Sequence, residues 1–108
     1  MDKNFYLYYA KIGFEFEFYS NFSIEDTKEK LSRLFNRKLM IFEESHSDFS
    51  PSYDVWKLEK DYSGGAKLIE LVTGALPYNE ARLVLIKALK WIRENGSTND
   101  RSSVHINI

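Results

Sequence analysis

The 108-residue chain has no cysteine, which excludes disulfides and thiolate metal sites and is compatible with a reducing compartment. It has no run near the roughly 18–20 apolar residues of a membrane helix. The opening MDKNFYLYYAKIG has no apolar stretch leading to a small-residue cleavage site, so no signal peptide is expected and the default expectation is a soluble, cytoplasmic protein. A surplus of one charge is also missing. Fifteen basic and sixteen acidic residues leave a net charge of −1, without the footprint of a nucleic-acid or acidic-lipid binder, and neither partner is expected. There is no Gly-rich phosphate loop of either common type and no serine in an elbow-like context. No internal repeat, low-complexity segment or linker interrupts the chain.

What is present suffices for one globular domain: 44% of residues are hydrophobic and 16% aromatic. Residues 5–19 read as one or two strands. Within them Ile12, Phe14, Phe16 and Phe18 point one way, and Gly13, Glu15, Glu17 and Tyr19 the other. Ser23, with Asp26 three positions on, fits a helix N-cap, and Leu31, Leu34 and Phe35 follow helical spacing, which predicts a helix at about 24–36. KLMIFEE (38–44) reads as a strand and 45–52 as a polar loop around Pro51. YDVWKLEKD (53–61) alternates, with Val55, Lys57 and Glu59 on one face and Trp56 and Leu58 on the other. Gly64-Gly65 marks a tight hairpin connection to a strand at 67–74. Pro77 opens a second helix with an apolar stripe of Ala81, Val84, Leu85, Ala88, Leu89 and Ile92, closed by Gly96 as a left-handed cap. SVHINI (103–108) alternates once more.

The order β–α–β–β–β–α–β and the hairpin favour an α+β fold, a mostly antiparallel sheet with both helices packed on one face. If the strands are neighbours, Glu15, Glu17, Glu70, His105 and Asn107 gather on the opposite, water-accessible face. Two carboxylates at i and i+2 of a strand lie on one side, with α-carbons roughly 6.5–7 Å apart. Such a pair can bridge one divalent cation or hold two, and Mg²⁺ prefers such oxygen ligands. The plain alternative is that alternating apolar and acidic residues describe any half-solvated strand. Glu70 lies among Leu68, Ile69, Leu71 and Val72, where a charge is costly unless paired, metal-bound or on a wet face. His105 reads as a metal or phosphate contact, or equally as a surface or satisfied core histidine. His46 sits in a polar loop, and Asp61 could be a turn residue before the Gly-Gly step.

Taken in order, GFEFEF, ELVTGALPYNEA and LKWIRENGSTNDRSSVHINI resemble the phage and bacterial amidoligase family. That family belongs with the glutamine synthetase-like carboxylate–amine ligases, glutamate–cysteine ligase among them. The resemblance runs from about Ile12 to Ile108, is most specific in the second half and is weak over 20–52. It implies half of a glutamine synthetase-like catalytic sheet whose face holds metal ions, ATP and substrates. On that resemblance Glu15 and Glu17 are the metal-binding pair and Glu70 a further metal or ammonium-side carboxylate. His105 approaches metal and nucleotide phosphate, and Asp61 and Asn107 fall at catalytic positions. The cofactors implied are Mg²⁺ or Mn²⁺ and ATP, and the substrates a small carboxylate and an amine. Family members often carry glycine shortly before the last histidine and a second histidine after it; here stand Ser103-Val104 and Asn107. Family enzymes are also two to three times longer, so the resemblance implies a single domain, 1–108, truncated at its C-terminal end and inactive alone. The alternative is a non-catalytic protein, phage-encoded and acting in the host cytoplasm, that binds a protein partner or a second copy through its C-terminal edge strand.

Overall fold

The computed structural model describes residues 10–43, 48–60, 68–98 and 103–108. Its elements are β1 (Lys11–Ser20), α1 (Ile24–Phe35), β2 (Lys38–Phe42), β3 (Val55–Lys60), β4 (Leu68–Val72), β5 (Leu76–Pro77), α2 (Tyr78–Asn95), β6 (Gly96–Ser97) and β7 (Val104–Asn107). The fold is α+β, in the order expected, with the two-residue strands β5 and β6 added. Asp61, His46 and the Gly64-Gly65 step lie outside the described residues.

Strand β1 is the centre of the sheet because its alternation suits two environments at once. Phe14, Phe16 and Phe18 are 3%, 0% and 0% exposed beneath the helices. On one edge β1 pairs antiparallel with β4, which pairs antiparallel with β3, and β3 pairs with β2 in parallel. The β3–β4 register matches the sequence: Glu59 and Glu70, like Lys57 and Val72, are equidistant from the Gly64-Gly65 step. Thr73 closes β4 by bonding twice to one residue. Its Oγ1 accepts the Phe14 N–H at 3.0 Å, and its own N–H donates to the Phe14 carbonyl at 3.0 Å. The Phe14 backbone therefore points toward β4. The Glu17 N–H points to the other edge, donating to the Ser103 carbonyl at 2.8 Å, and there β7 pairs antiparallel with β1.

Helix α1 begins where its cap dictates: Ser23 Oγ accepts the Asp26 N–H at 3.1 Å. It ends at Asn36, which takes the left-handed conformation at φ 51°. Arg37 follows at once. Its guanidinium lies over the rings of Tyr53 and Trp56, at 4.5 and 5.1 Å. Nε donates to the Tyr53 carbonyl at 2.8 Å and Nη1 to the Phe35 carbonyl at 3.2 Å. Both helices bury their apolar stripes in one core against the phenylalanines, Trp56, Leu58, Ile69 and Leu71. Among the described residues no helix is long and apolar enough to cross a membrane.

Two local expectations need correction. Gly96 is not a left-handed cap: at φ −157°, ψ −163° it is extended and pairs with Ser20. Glycine is required there by close approach, since an added Cβ would lie 2.3 Å from the Tyr19 carbonyl oxygen. Leu89 is not a core residue. It is 46% exposed and lies on an outward flank of α2 with Ile86, which is 54% exposed. The true stripe continues through Trp91.

Candidate functional site

The strand registers gather the acidic residues. Glu17 stands opposite Glu70, and Glu70 opposite Glu59, so three adjacent strands place carboxylates in one transverse row. Glu15 is the next same-face residue of β1 and stands opposite His105 of β7, while Asn107 stands opposite Gly13. Glu15, Glu17, Glu70, His105 and Asn107 thus share the face away from the helices, the arrangement alternation required. Neighbouring strands are about 4.8 Å apart, so like charges directly opposite repel.

Glu70 carries the consequence. Its partial burial, then the charges of Glu15, Glu17 and Glu59, then a side-chain hydrogen bond with Glu17, push its carboxyl up to about 7. Near neutral pH the Glu70 carboxyl therefore still holds its proton part of the time. Glu59 is compensated differently: Lys57 Nζ lies 2.6 Å from its Oε1, and both side chains are buried. At the other end His105 Nδ1 is 3.8 Å from Glu15 Oε2, an ion pair when the imidazole is protonated. Its Nε2 is 3.1 Å from Ser103 Oγ.

The face is not uniformly water-accessible, as alternation alone suggested. Leu68, Val72, Lys57 and Glu59 project from it and are nevertheless buried. One reason is visible at β2: Phe42, opposite Glu59, stacks with Phe49 of the β2–β3 connection at 5.3 Å. The face therefore grades from dry at β3 to open at β7, where the His105 side chain is 59% exposed. Lys57 and Glu59 are the site members that motif reading passed over. Their signal was the symmetric placement of Glu59 and Glu70 about Gly64-Gly65, which pairs them in any tight hairpin.

The donor set of Glu15, Glu17 and Glu70, with His105 alongside, suits a hard divalent cation. Among the described residues no three or more such side chains already stand close enough to hold one, so uptake requires carboxylates to turn toward each other. A cavity of about 370 Å³ lies elsewhere, lined by residues 20–25 with Lys60 and Ile69. Several of its polar groups are engaged within the fold: Ser20 Oγ with Thr27 Oγ1 and the Phe22 N–H, Ser23 Oγ with the Asp26 N–H, and Lys60 with Glu43. Asp61 lies outside the described residues, so its position relative to the row is not part of this geometry. Comparison with models of known protein families, with curated proteins and with solved structures finds no match to this chain.

Proposed function

We propose that the chain is an amidoligase-like domain whose acidic sheet face takes up a divalent cation, Mg²⁺ or Mn²⁺, without ligase activity of its own. The observation that carries this reading is the opposition of Glu17 and Glu70, with Glu15 two positions along and His105 across from it. Carboxylates forced together at this spacing hold unfavourable charge that a cation relieves. A bound cation would neutralise phosphate oxygens there, which is the chemistry an ATP-dependent carboxylate–amine ligase needs. Glu15, Glu17 and Glu70 would hold it, and His105, exposed at the rim, would face an incoming ligand. Nucleotide fits this set less well. Among the described residues the lysine beside the carboxylates is Lys57, and it is engaged by Glu59. ATP binding and amide formation would therefore rely on groups beyond this set. Thermal unfolding at neutral pH tests the reading. Millimolar Mg²⁺ or Mn²⁺ should raise the melting temperature, by roughly 3 kcal/mol of stabilisation at a hundredfold excess over Kd. Glu17→Gln should abolish the rise while remaining folded. An unshifted wild type would remove the cation reading.

A second reading is favoured by a separate observation. Among the described residues nothing pairs with the outer edge of β7, and Val104, Ile106 and Ile108 beside it are 41%, 54% and 94% exposed. A strand with unpaired backbone groups and apolar side chains is a template for another strand. On this reading the chain is a binding or inhibitor protein that offers β7 as its interaction edge. Rapid amide exchange at residues 104, 106 and 108 of the isolated monomer is expected; protection there would show the edge already covered.

A further inference from the structure

We infer that the occupant of the β7 edge is a second copy of this chain, joined by an antiparallel β7–β7 pair with its two-fold axis at Ile106. The inference rests on the reading of β7 as a binding edge and adds the partner and the register. Hydrogen-bond parity supplies the first argument. The Glu17 N–H donates to the Ser103 carbonyl, and the Phe14 backbone is turned to β4. With Glu17 opposite Ser103, Glu15 opposite His105 and Gly13 opposite Asn107, residues 103, 105 and 107 direct their backbone groups at β1. Val104, Ile106 and Ile108 direct theirs outward.

A two-fold axis perpendicular to the sheet keeps each residue on its own face, so it must pass through a residue of β7 and not between two. Centred on Ile106, it sets Ile106 against the partner's Ile106 and Val104 against the partner's Ile108. All three outward residues then exchange backbone bonds, and their exposed apolar side chains meet on the helix side. Centred on His105, the axis would set two imidazoles opposite each other. The Ile106 register instead sets His105 against the partner's Asn107, a neutral hydrogen-bonding pair, and no two like charges of β7 meet. The symmetry also closes the assembly at two copies, which removes the open edge.

The pairing has a consequence for the acidic face. His105 leans on Glu15 at 3.8 Å, so the partner's Asn107 would arrive at the rim of the carboxylate row. Each copy would complete the other's site with an amide.

Single-cysteine variants test the register, since the chain has no native cysteine. In an antiparallel hydrogen-bonded pair the α-carbons are about 5.5 Å apart, within disulfide range. Under mild oxidation Ile106→Cys should form a disulfide-linked dimer in high yield. Val104→Cys, roughly 13 Å from its own copy, should not. Wild type should sediment as a dimer, and Ile106→Lys should weaken that dimer at least about tenfold while staying folded. Preferential cross-linking through Val104→Cys, or a wild type that stays monomeric at submillimolar concentration, overturns the inference. In that monomer, amide exchange separates the two readings. Fast exchange at 104, 106 and 108 leaves β7 open to a different protein, whereas protection there ends the binding-edge reading as well.

Discussion

Replacing Glu70 by glutamine should stabilise the protein, and only where the carboxyl would be charged. Glutamine keeps the shape and can still donate to Glu17, but removes one negative charge from a row that also contains Glu15, Glu17 and Glu59. In the unfolded chain the Glu70 carboxyl titrates near its ordinary value of 4.5; in the fold it is raised to about 7. The folded state therefore binds more protons between those values, so stability falls as pH rises through that window. Below the ordinary value the carboxyl is protonated in both states and the penalty is absent; above 7 it is complete. At about 1.4 kcal/mol per pH unit the full effect would be about 3.5 kcal/mol. The partial exposure of Glu70 and screening by solvent reduce it to roughly 1–2 kcal/mol. Urea unfolding of wild type and Glu70→Gln across pH 4–8.5 isolates this contribution, because every other titrating group is common to both proteins. The curves should meet near pH 4 and separate by roughly 1–2 kcal/mol at pH 8, equivalent to roughly 5–15 °C in melting temperature. A separation that does not change with pH, or a variant less stable than wild type at pH 8, refutes the reasoning.

Lys57→Met should destabilise the protein by about 3–5 kcal/mol in urea titrations, because it takes the ammonium 2.6 Å away from the buried Glu59 carboxylate; Lys57→Met with Glu59→Leu should recover most of that loss, as expected for a buried pair replaced by apolar groups. Gly96→Ala should cost about 1–3 kcal/mol through collision with the Tyr19 carbonyl, measured the same way, although its φ suits any residue. Ser23→Ala should cost about 1 kcal/mol and reduce the helical circular dichroism little, since one capping bond is lost while the buried stripe of α1 remains.

Much of this architecture is legible in residue patterns whose physical cause is local. The period of two in Phe14–Phe18, the Ser23 cap and the apolar stripe after Pro77 each depend on neighbours within a turn or a strand. Alternation also determined that Glu15, Glu17, Glu70, His105 and Asn107 would share a face once their strands were adjacent. Legibility fails where the deciding partner is distant in sequence. Gly96 looks like a helix cap because glycine commonly serves there, but its role is set by the Tyr19 carbonyl 77 positions earlier. Leu89 has helical spacing with the core residues, yet nothing in its own neighbourhood tells which flank of α2 is covered. The dryness around Lys57 and Glu59 depends on the β2–β3 connection, whose Phe49 returns to Phe42. The parallel β2–β3 pairing has no turn signature of its own, whereas the Gly64-Gly65 pair in the sequence signals the antiparallel β3–β4 pairing.

Arg37 grips the backbone on both sides of that crossover, at Phe35 before β2 and at Tyr53 before β3. Ser52 adds a local clasp, its Oγ accepting the Val55 N–H at 3.1 Å. Departure and return are therefore anchored independently of how many residues lie between β2 and Ser52. A change of length in that stretch should therefore leave the sheet in place, provided that Phe49 still reaches Phe42 and covers Glu59. The freedom belongs to arginine alone, because lysine has neither the flat guanidinium to lie between Tyr53 and Trp56 nor the fork of donors to hold two carbonyls at once.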